Sequence, residues 1–379
     1  MDPLVALLSD LVAIDSVNPT LVPGGAGEGA IADRVARELR SCGLDVTVSE
    51  AAPGRPNVVG VLESPRAGRS LMLCGHSDTV GVAGMEAPFD PVVRGDRLYG
   101  RGSQDMKGGV AAILGAARVL ADGGLAAGRL VVAIVADEEH LSLGADVLVR
   151  EWTADAAVVA EPTDLTIAIG HKGFAWVEVV AQGRAAHGSR PREGRDAILR
   201  MGRVLSGLER VDREIQARPE HPFLGTGSLH ASLVEGGREL SSYPDRCVLQ
   251  MERRLLTDEP ENTALREVET LLAALKAEDP EFEGSARHLF SRPAYETPAG
   301  HPLPALLEEG LVRQGRAAQR GGATFWTDAA VLGHAGIPSV VFGPGGAGLH
   351  GLEEHVRISE VVACREALVS LARSFCAPA

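Results

Sequence analysis

The chain reads as an α/β protein, a mixed sheet with helices on both faces, interrupted by a smaller inserted unit. Three observations predict this. Runs such as "LVVAIVA" (130–136) and "AAVVA" (156–160) are apolar at every position, as expected of central strands covered on both faces. Helical patterns alternate with such runs through the first part of the chain. The pattern then changes: "FAWVEVVAQG" (174–183) alternates like a half-exposed strand. The predicted divisions are 1–172, 173–291 and 292–379, with the first and last forming one domain.

In chain order, Asp2 and Pro3 read as N-cap and first helical residue. Leu4, Leu7, Leu8, Leu11 and Val12 then line one helix face. A second helix runs from Glu28 to Leu39, with Gly43 beyond it. Strands follow at Val46–Ser49, Val58–Leu62 and Leu71–Cys74. "DMKGGVAAILGAARVLADGG" (105–124) reads as a buried helix stopped by glycine. After the 174–183 strand come a helix at Ala197–Leu208 and strands at Ser228–Val234 and Arg246–Leu255. A helix carrying Leu265, Val268, Leu271, Leu272 and Leu275 precedes a strand at Ser285–Phe290. That order, β-α-β-β-α-β, is the ferredoxin-like unit. The tail returns to α/β: a helix at Leu303–Gln314, the strand "IPSVVFG" (337–343), a Gly-rich loop, and a helix after Ser359.

Composition bounds the function. A net charge of −14 over 379 residues argues against nucleic acid or an anionic membrane as partner. "MDPLVALLSDL" has no basic n-region, so no secretory signal is expected. No apolar run approaches the ~20 residues of a membrane span. Five cysteines (42, 74, 247, 364, 376) form no CxxC pair. Reduced thiols and a cytoplasmic location are the simplest expectation.

Ligands of open α/β sheets bind beyond the carboxyl ends of strands, so the residues that follow each apolar run matter most. His76, Ser77 and Asp78 follow "LMLCG". Asp137, Glu138 and Glu139 follow "LVVAIVA". Glu161 follows "AAVVA", and His350 follows "IPSVVFGPGGAGL". Asp105 opens the long buried helix. Imidazole and carboxylate donors without thiolates suit Zn, Mn or Co. His76 and Asp78, two apart, share a side if the strand continues, so Asp78 can hold the imidazole in one tautomer. Ser77 then faces away, which counts against a Ser-His-Asp triad, and G-x-S-x-G is absent. "GRGSQD" (100–105) ends on Asp105, a poor dinucleotide fingerprint. Asp137, Glu138 and Glu139 in succession pose a charge problem, because burial and mutual repulsion both oppose ionisation. Nearby cations would reverse that.

The segments "GHSDTV" (75–80), "GRGSQDMKGG" (100–109), "ADEEH" (136–140), "AEPT" (160–163), "AAHGSRPREGRDAI" (185–198), "ERRLLTDE" (252–259) and "GLHGLEEHV" (348–356) span nearly the whole chain. In that order they resemble the zinc peptidases and deacylases that include acetylornithine deacetylase, succinyl-diaminopimelate desuccinylase, aminoacylase and glutamate carboxypeptidase. The resemblance implies two divalent metal ions, zinc first, with cobalt or manganese as alternatives. Asp105 would bridge them. His76 and Glu161 would complete one side, Glu139 and His350 the other. It implies Glu138 as general base on a metal-activated water, and Asp78 as the residue that orients His76. His187 would stabilise the oxyanion, usually in the partner subunit's site, and Arg254 would bind a substrate carboxylate. The inserted unit would be a lid and dimerisation domain, giving a homodimer.

The implied activity is removal of an acyl group from a small N-acyl amino acid. A dipeptidase or glutamate carboxypeptidase acting on a short peptide is the alternative. A non-catalytic metal-binding relative would lack the base or a ligand, and all of these residues are present. Two stretches depart from the family pattern. Ser241 in "SSYPD" (241–245) stands where Asn is common, and "HLSLGA" (140–145) replaces a Gly-rich turn. Asp137 and His140 receive no role.

Overall fold

The computed structural model describes residues 2–377. The chain divides into two compact units. One comprises residues up to Gly170, Glu296–Ala323 and those from Thr327. The other comprises His171–Tyr295 and Thr324–Trp326.

The first unit is built on a mixed sheet. Its strands run in the order Asp45–Ala52, Arg55–Glu63, Arg129–Val135, Ser70–His76, Ala156–Val159, Ser339–Val341, Ile167–His171. The four from Arg129–Val135 to Ser339–Val341 are parallel, and the flanking pairs are antiparallel. The all-apolar runs are explained by burial on two faces. Leu130, Val132 and Ile134 join Leu71, Leu73, Ala156 and Val158 in one core. It is closed by the helices Pro3–Val12, Gly29–Ser41, Gly108–Gly123, Leu303–Arg313 and Ile358–Phe375. Val131, Ala133 and Val135 alternate with them and are equally buried. That second face is met by the helices Leu143–Glu151 and Ala329–His334. At the first helix the Asp2 carboxylate accepts the Leu4 amide at 2.8 Å, and Pro3 occupies the first position.

A small antiparallel sheet was not anticipated. It orders Gly346–Ala347, His355–Arg357, Arg97–Tyr99 and Val92–Arg94. These strands have two or three residues each and carry several arginines, so no apolar period announces them. They matter because they fix the segment leading to Asp105 beside the loop that carries His350.

The second unit is a four-stranded antiparallel sheet in the order Ser228–Gly236, Arg246–Leu255, Gly173–Gln182, Glu283–Arg292. The helices Ala197–Gln216 and Thr263–Glu278 pack on one face, against Ala175, Val177, Val179, Ala181, Leu249 and Met251. The alternate residues Trp176, Glu178, Gln250 and Glu252 take the other face. This is the ferredoxin-like arrangement that the order of elements predicts. Among the described residues no helix is long and apolar enough to cross a membrane.

One close approach in the first unit links the fold to its strand ends. A Cβ on Gly109 would lie 2.0 Å from the Ala160 carbonyl oxygen, next to Glu161. Gly109→Ala is therefore expected to cost about 1–3 kcal/mol by overpacking. The effect reads as a lower urea midpoint at unchanged slope. An unchanged midpoint would show that the helix is not pressed onto that strand end.

Candidate metal centre

Topology gathers the site. Arg129–Val135, Ser70–His76 and Ala156–Val159 are adjacent and parallel, so their carboxyl ends lie side by side. His76 closes the middle strand. Glu138 and Glu139 follow one neighbour, and Glu161 follows the other. Asp105 comes from the segment before the Gly108–Gly123 helix, where its backbone leaves helical geometry (φ −116°, ψ 99°). His350 stands in the loop before His355–Arg357.

The distances sort these groups into two sides. On one, His76 Nε2 lies 3.1 Å from Asp105 Oδ1, 3.7 Å from Glu161 Oε1 and 3.9 Å from Glu138 Oε2. On the other, His350 Nε2 lies 3.4 Å from Asp105 Oδ2 and 3.3 Å from Glu139 Oε2. Asp105 thus offers one oxygen to each histidine. Donor atoms of His76, Asp105 and Glu139 lie within 4.8 Å of one another, as do those of His76, Glu138 and Glu161. Glu138 therefore stands on the His76 side at ligand-like distance. His140 belongs to neither group. His355 packs tilted against Tyr99, with ring centroids 4.9 Å apart. His187 and Arg254 belong to the second unit. There His187 Nδ1 lies 2.8 Å from Ser189 Oγ, and Arg254 Nε donates to Glu252 at 2.6 Å.

Asp78 acts through different atoms than its spacing suggests. His76 Nδ1 lies 2.9 Å from the Asp78 backbone carbonyl and 3.6 Å from its carboxylate. The strand ends at His76, so residue 78 no longer shares the pleat. A carbonyl can only accept, so Nδ1 carries a proton, and Nε2 is the ring nitrogen that faces the cluster. The Asp78 carboxylate instead accepts the amides of Glu138 (3.1 Å) and Glu139 (3.2 Å).

Two residues that sequence reasoning passed over shape the site. Glu354 has a fully buried side chain. Its carboxylate accepts the amides of Gly102 (2.9 Å), Gln104 (2.9 Å) and Asp105 (3.1 Å), and pairs with Arg101 at 2.6 Å. Arg101 also donates to the Gly351 carbonyl. The loops carrying Asp105 and His350 are thereby tied together. Only the Glu-Glu pair in "GLEEHV" hinted at this. Asp328 is also buried, and its charge opposes ionisation of Glu138 and Glu161.

The electrostatics favour protons or cations at these carboxylates. Burial first, then neighbouring carboxylates, hold the Glu138 and Glu161 pKa values well above the usual range. The same causes push Glu139 up to about 7. His76 is raised: burial works against its charge, but Glu161, Asp105 and Glu138 prevail. Hydrogen bonds to Asp105 and Glu139 raise His350 to about 10. Asp105 is held low; burial opposes this, but both histidines outweigh it. Among the described residues, the ion-pair partners of Glu138, Glu139 and Glu161 are histidines rather than lysine or arginine.

These shifts carry a sign. Glu138, Glu139, Glu161, His76 and His350 all hold protons more tightly folded than unfolded, so their joint contribution to metal-free stability falls as pH rises, outweighing the single buried Lys107, which burial pushes down to about 7 and which acts the other way above that pH. For Glu139 the loss runs from 4.5 to about 7, and for His350 from 6.5 to about 10. Asp105 has the opposite sign, with a contribution lost only as pH falls below its ordinary 3.8. Metal-stripped protein should therefore melt lower at about pH 8 than at about pH 6, and added Zn²⁺ should reverse the order. Identical metal-free melting curves would contradict this account.

Comparison with known proteins gives the same direction. Residues 72–374 match peptidase family M20/M25/M40. The chain is 29% identical to acetylornithine deacetylase of Myxococcus xanthus, covering 98% of this chain and 97% of that one. It is 28% identical to N-formyl-4-amino-5-aminomethyl-2-methylpyrimidine deformylase of Bacillus subtilis, covering 98% and 94%. Its fold is similar to that of a dinuclear metal-binding peptidase of the M20 family from Bacillus subtilis (TM-score 0.76, 14% identity, 98% and 97% covered). The chain therefore belongs to peptidase family M20/M25/M40 and is a hydrolase of amide bonds.

Proposed function

We propose that this protein is a two-metal deacylase that removes the acyl group from an N-acyl amino acid. The observation that carries the reading is Asp105, whose two oxygens face His76 at 3.1 Å and His350 at 3.4 Å. The donor set fits divalent ions. Glu139 Oε1 and Glu161 Oε1 are buried without a hydrogen-bond partner, which is costly for a carboxylate unless a cation supplies it. His76, Asp105 and Glu161 would hold one ion, and Asp105, Glu139 and His350 the other. Imidazole and carboxylate ligands suit zinc, with cobalt or manganese as alternatives.

Bound there, the ions would polarise the scissile carbonyl and lower the pKa of a water toward ~7. Glu138 is the base: its carboxylate takes the proton of the attacking water and delivers it to the leaving amine. We assign His187 to the oxyanion. The Ser189 amide donates to His187 Nδ1 at 3.2 Å, so in the neutral ring the proton resides on Nε2, ready to donate. We assign Arg254 to a substrate carboxylate. Glu252 on its Nε and the Phe174 ring 5.6 Å beneath hold the guanidinium on the sheet face.

The second unit supports a homodimer. The strand Ser228–Gly236 is an edge strand, and Leu233 and Val234 on it are 65% and 61% exposed. An unpaired apolar edge is a template for a second copy. Among the described residues the cysteines form no disulfide, in keeping with a cytoplasmic protein.

A hydrolysis screen with added zinc or cobalt tests the activity. It should include N-acetylornithine, N-succinyl-diaminopimelate, N-acetyl amino acids and dipeptides, with cleavage expected for acyl amino acids. Turnover of dipeptides alone would favour the exopeptidase reading. Glu138→Ala is expected to lower kcat by ~10²–10⁴-fold with metal content near normal. Lost metal would make Glu138 a ligand instead. Glu139→Ala or His350→Ala should lower metal content by elemental analysis. Sedimentation should give a dimer that Leu233→Glu dissociates, and a wild-type monomer would exclude the assembly.

A further inference from the structure

Asp137 begins the acidic turn, yet neither the resemblance nor the proposed mechanism gives it a task. Its surroundings are specific. Its backbone is left-handed (φ 67°), a conformation that costs non-glycine residues energy and that Asp tolerates better than most. Its carboxylate is fully buried and accepts from Arg55 Nη2 at 2.8 Å and Asn18 Nδ2 at 3.0 Å. Its amide donates to Glu28 at 3.2 Å. Arg55 in turn grips both oxygens of Glu28, at 2.7 and 2.6 Å. Asn18 shares its amide group between Asp137 and Asp78, the latter at 2.8 Å.

The rest of the turn is held from the same side. Asn57 accepts the Ala136 amide at 3.1 Å and donates to the Gly144 carbonyl at 2.8 Å. Gly144 is required there, because a Cβ would stand 2.6 Å from Asn57 Oδ1 and 2.5 Å from Ala136 N. In a continued strand Glu138 and Glu139 would point to opposite faces of the sheet. The turn instead lays both of their amides on Asp78, with Glu138 facing His76 and Glu139 facing His350.

We propose that Arg55 and Asp137 are positioning residues. As a buried ion pair locked by Glu28 and Asn18, they hold the left-handed turn that sends Glu138 and Glu139 to different ions. This rests on the two-ion reading above. Arg55 is chosen over a lysine by geometry: one guanidinium makes a two-pronged contact with Glu28, reaches Asp137, and donates to Thr20 at 3.0 Å. None of these residues contacts the candidate ligands through its own side chain, except by way of Asp78 and the backbone of the turn.

The test uses Arg55→Lys and Asp137→Gly in the full-length protein, titrated with Co²⁺ and followed by visible absorption and melting. Lysine keeps the charge but loses the fork. Glycine keeps the left-handed backbone but loses the anchor. Folded variants are expected to bind Co²⁺ about 10–100-fold more weakly with a changed absorption band. On an N-acetyl amino acid cleaved by the wild type, kcat should fall about as far and KM should move by less than ~3-fold. Wild-type Co²⁺ affinity, spectrum and kcat in either folded variant would overturn the assignment alone. Failure of the wild type to bind Co²⁺ would overturn the two-ion reading itself. Loss of the fold in both variants would also overturn it, since the pair would then serve the core rather than the ligands.

Discussion

The structure depends on repulsion among crowded, largely buried carboxylates. Glu138, Glu139, Glu161 and Asp105 converge at the ends of parallel strands, and burial alone opposes their charge. Lysine or arginine salt bridges would relieve that repulsion, but among the described residues only histidines pair with the three glutamates. Such a cluster is tolerable when protons or cations occupy it. The sheet, the flanking helices and the small second sheet must therefore hold in place groups that push one another apart.

The chain achieves this through backbone amides more than through side-chain contacts among the ligands. Asp78 accepts the amides of Glu138 and Glu139. Glu354 accepts those of Gly102, Gln104 and Asp105. In each case a buried carboxylate that is not itself a candidate ligand fixes the loop that carries one. Charge-assisted bonds to amides are roughly twice as strong as neutral ones, and they leave the ligand side chains free to face a cation. The arrangement adds further negative charge nearby: Arg101 pairs with Glu354, and Arg55 pairs with Glu28 and Asp137, away from the ligands.

The two units differ in the side chains they present. The first contains every proposed ligand and Glu138, the proposed base. The second offers an aromatic and charged sheet face, with Trp176 donating to Glu252 at 2.9 Å and Arg254 fixed beside it. Its opposite face is consumed by its own helices. Family membership fixes the class of reaction, hydrolysis of amide bonds.

By itself the sequence determined the layered α/β sheet, the ferredoxin-like insertion and the residues at the strand ends. Those features rest on local periodicity: all-apolar runs for two-faced burial, alternation for one-faced burial, and caps such as Asp2-Pro3. His76, Asp105, Glu138, Glu139, Glu161 and His350 were legible because they lie just past apolar runs, ahead of a helix or in the Gly-rich loop after a strand, within segments that resemble the family's. The resemblance grouped them, but only the tertiary structure decided the distances at which they meet, which Asp105 oxygen faces which histidine, and that Asp78 serves the amides of the glutamates. Arg55, Asn18 and Glu28 were invisible, and Glu354 was no more than hinted at, for a physical reason. Each is a single polar residue whose partners lie tens to hundreds of positions away, and pairing at that range leaves no period in the chain. Asp137 shows the difference most clearly: in the sequence it is a third acid in a row, and in the fold it is the buried anchor on which the other two turn.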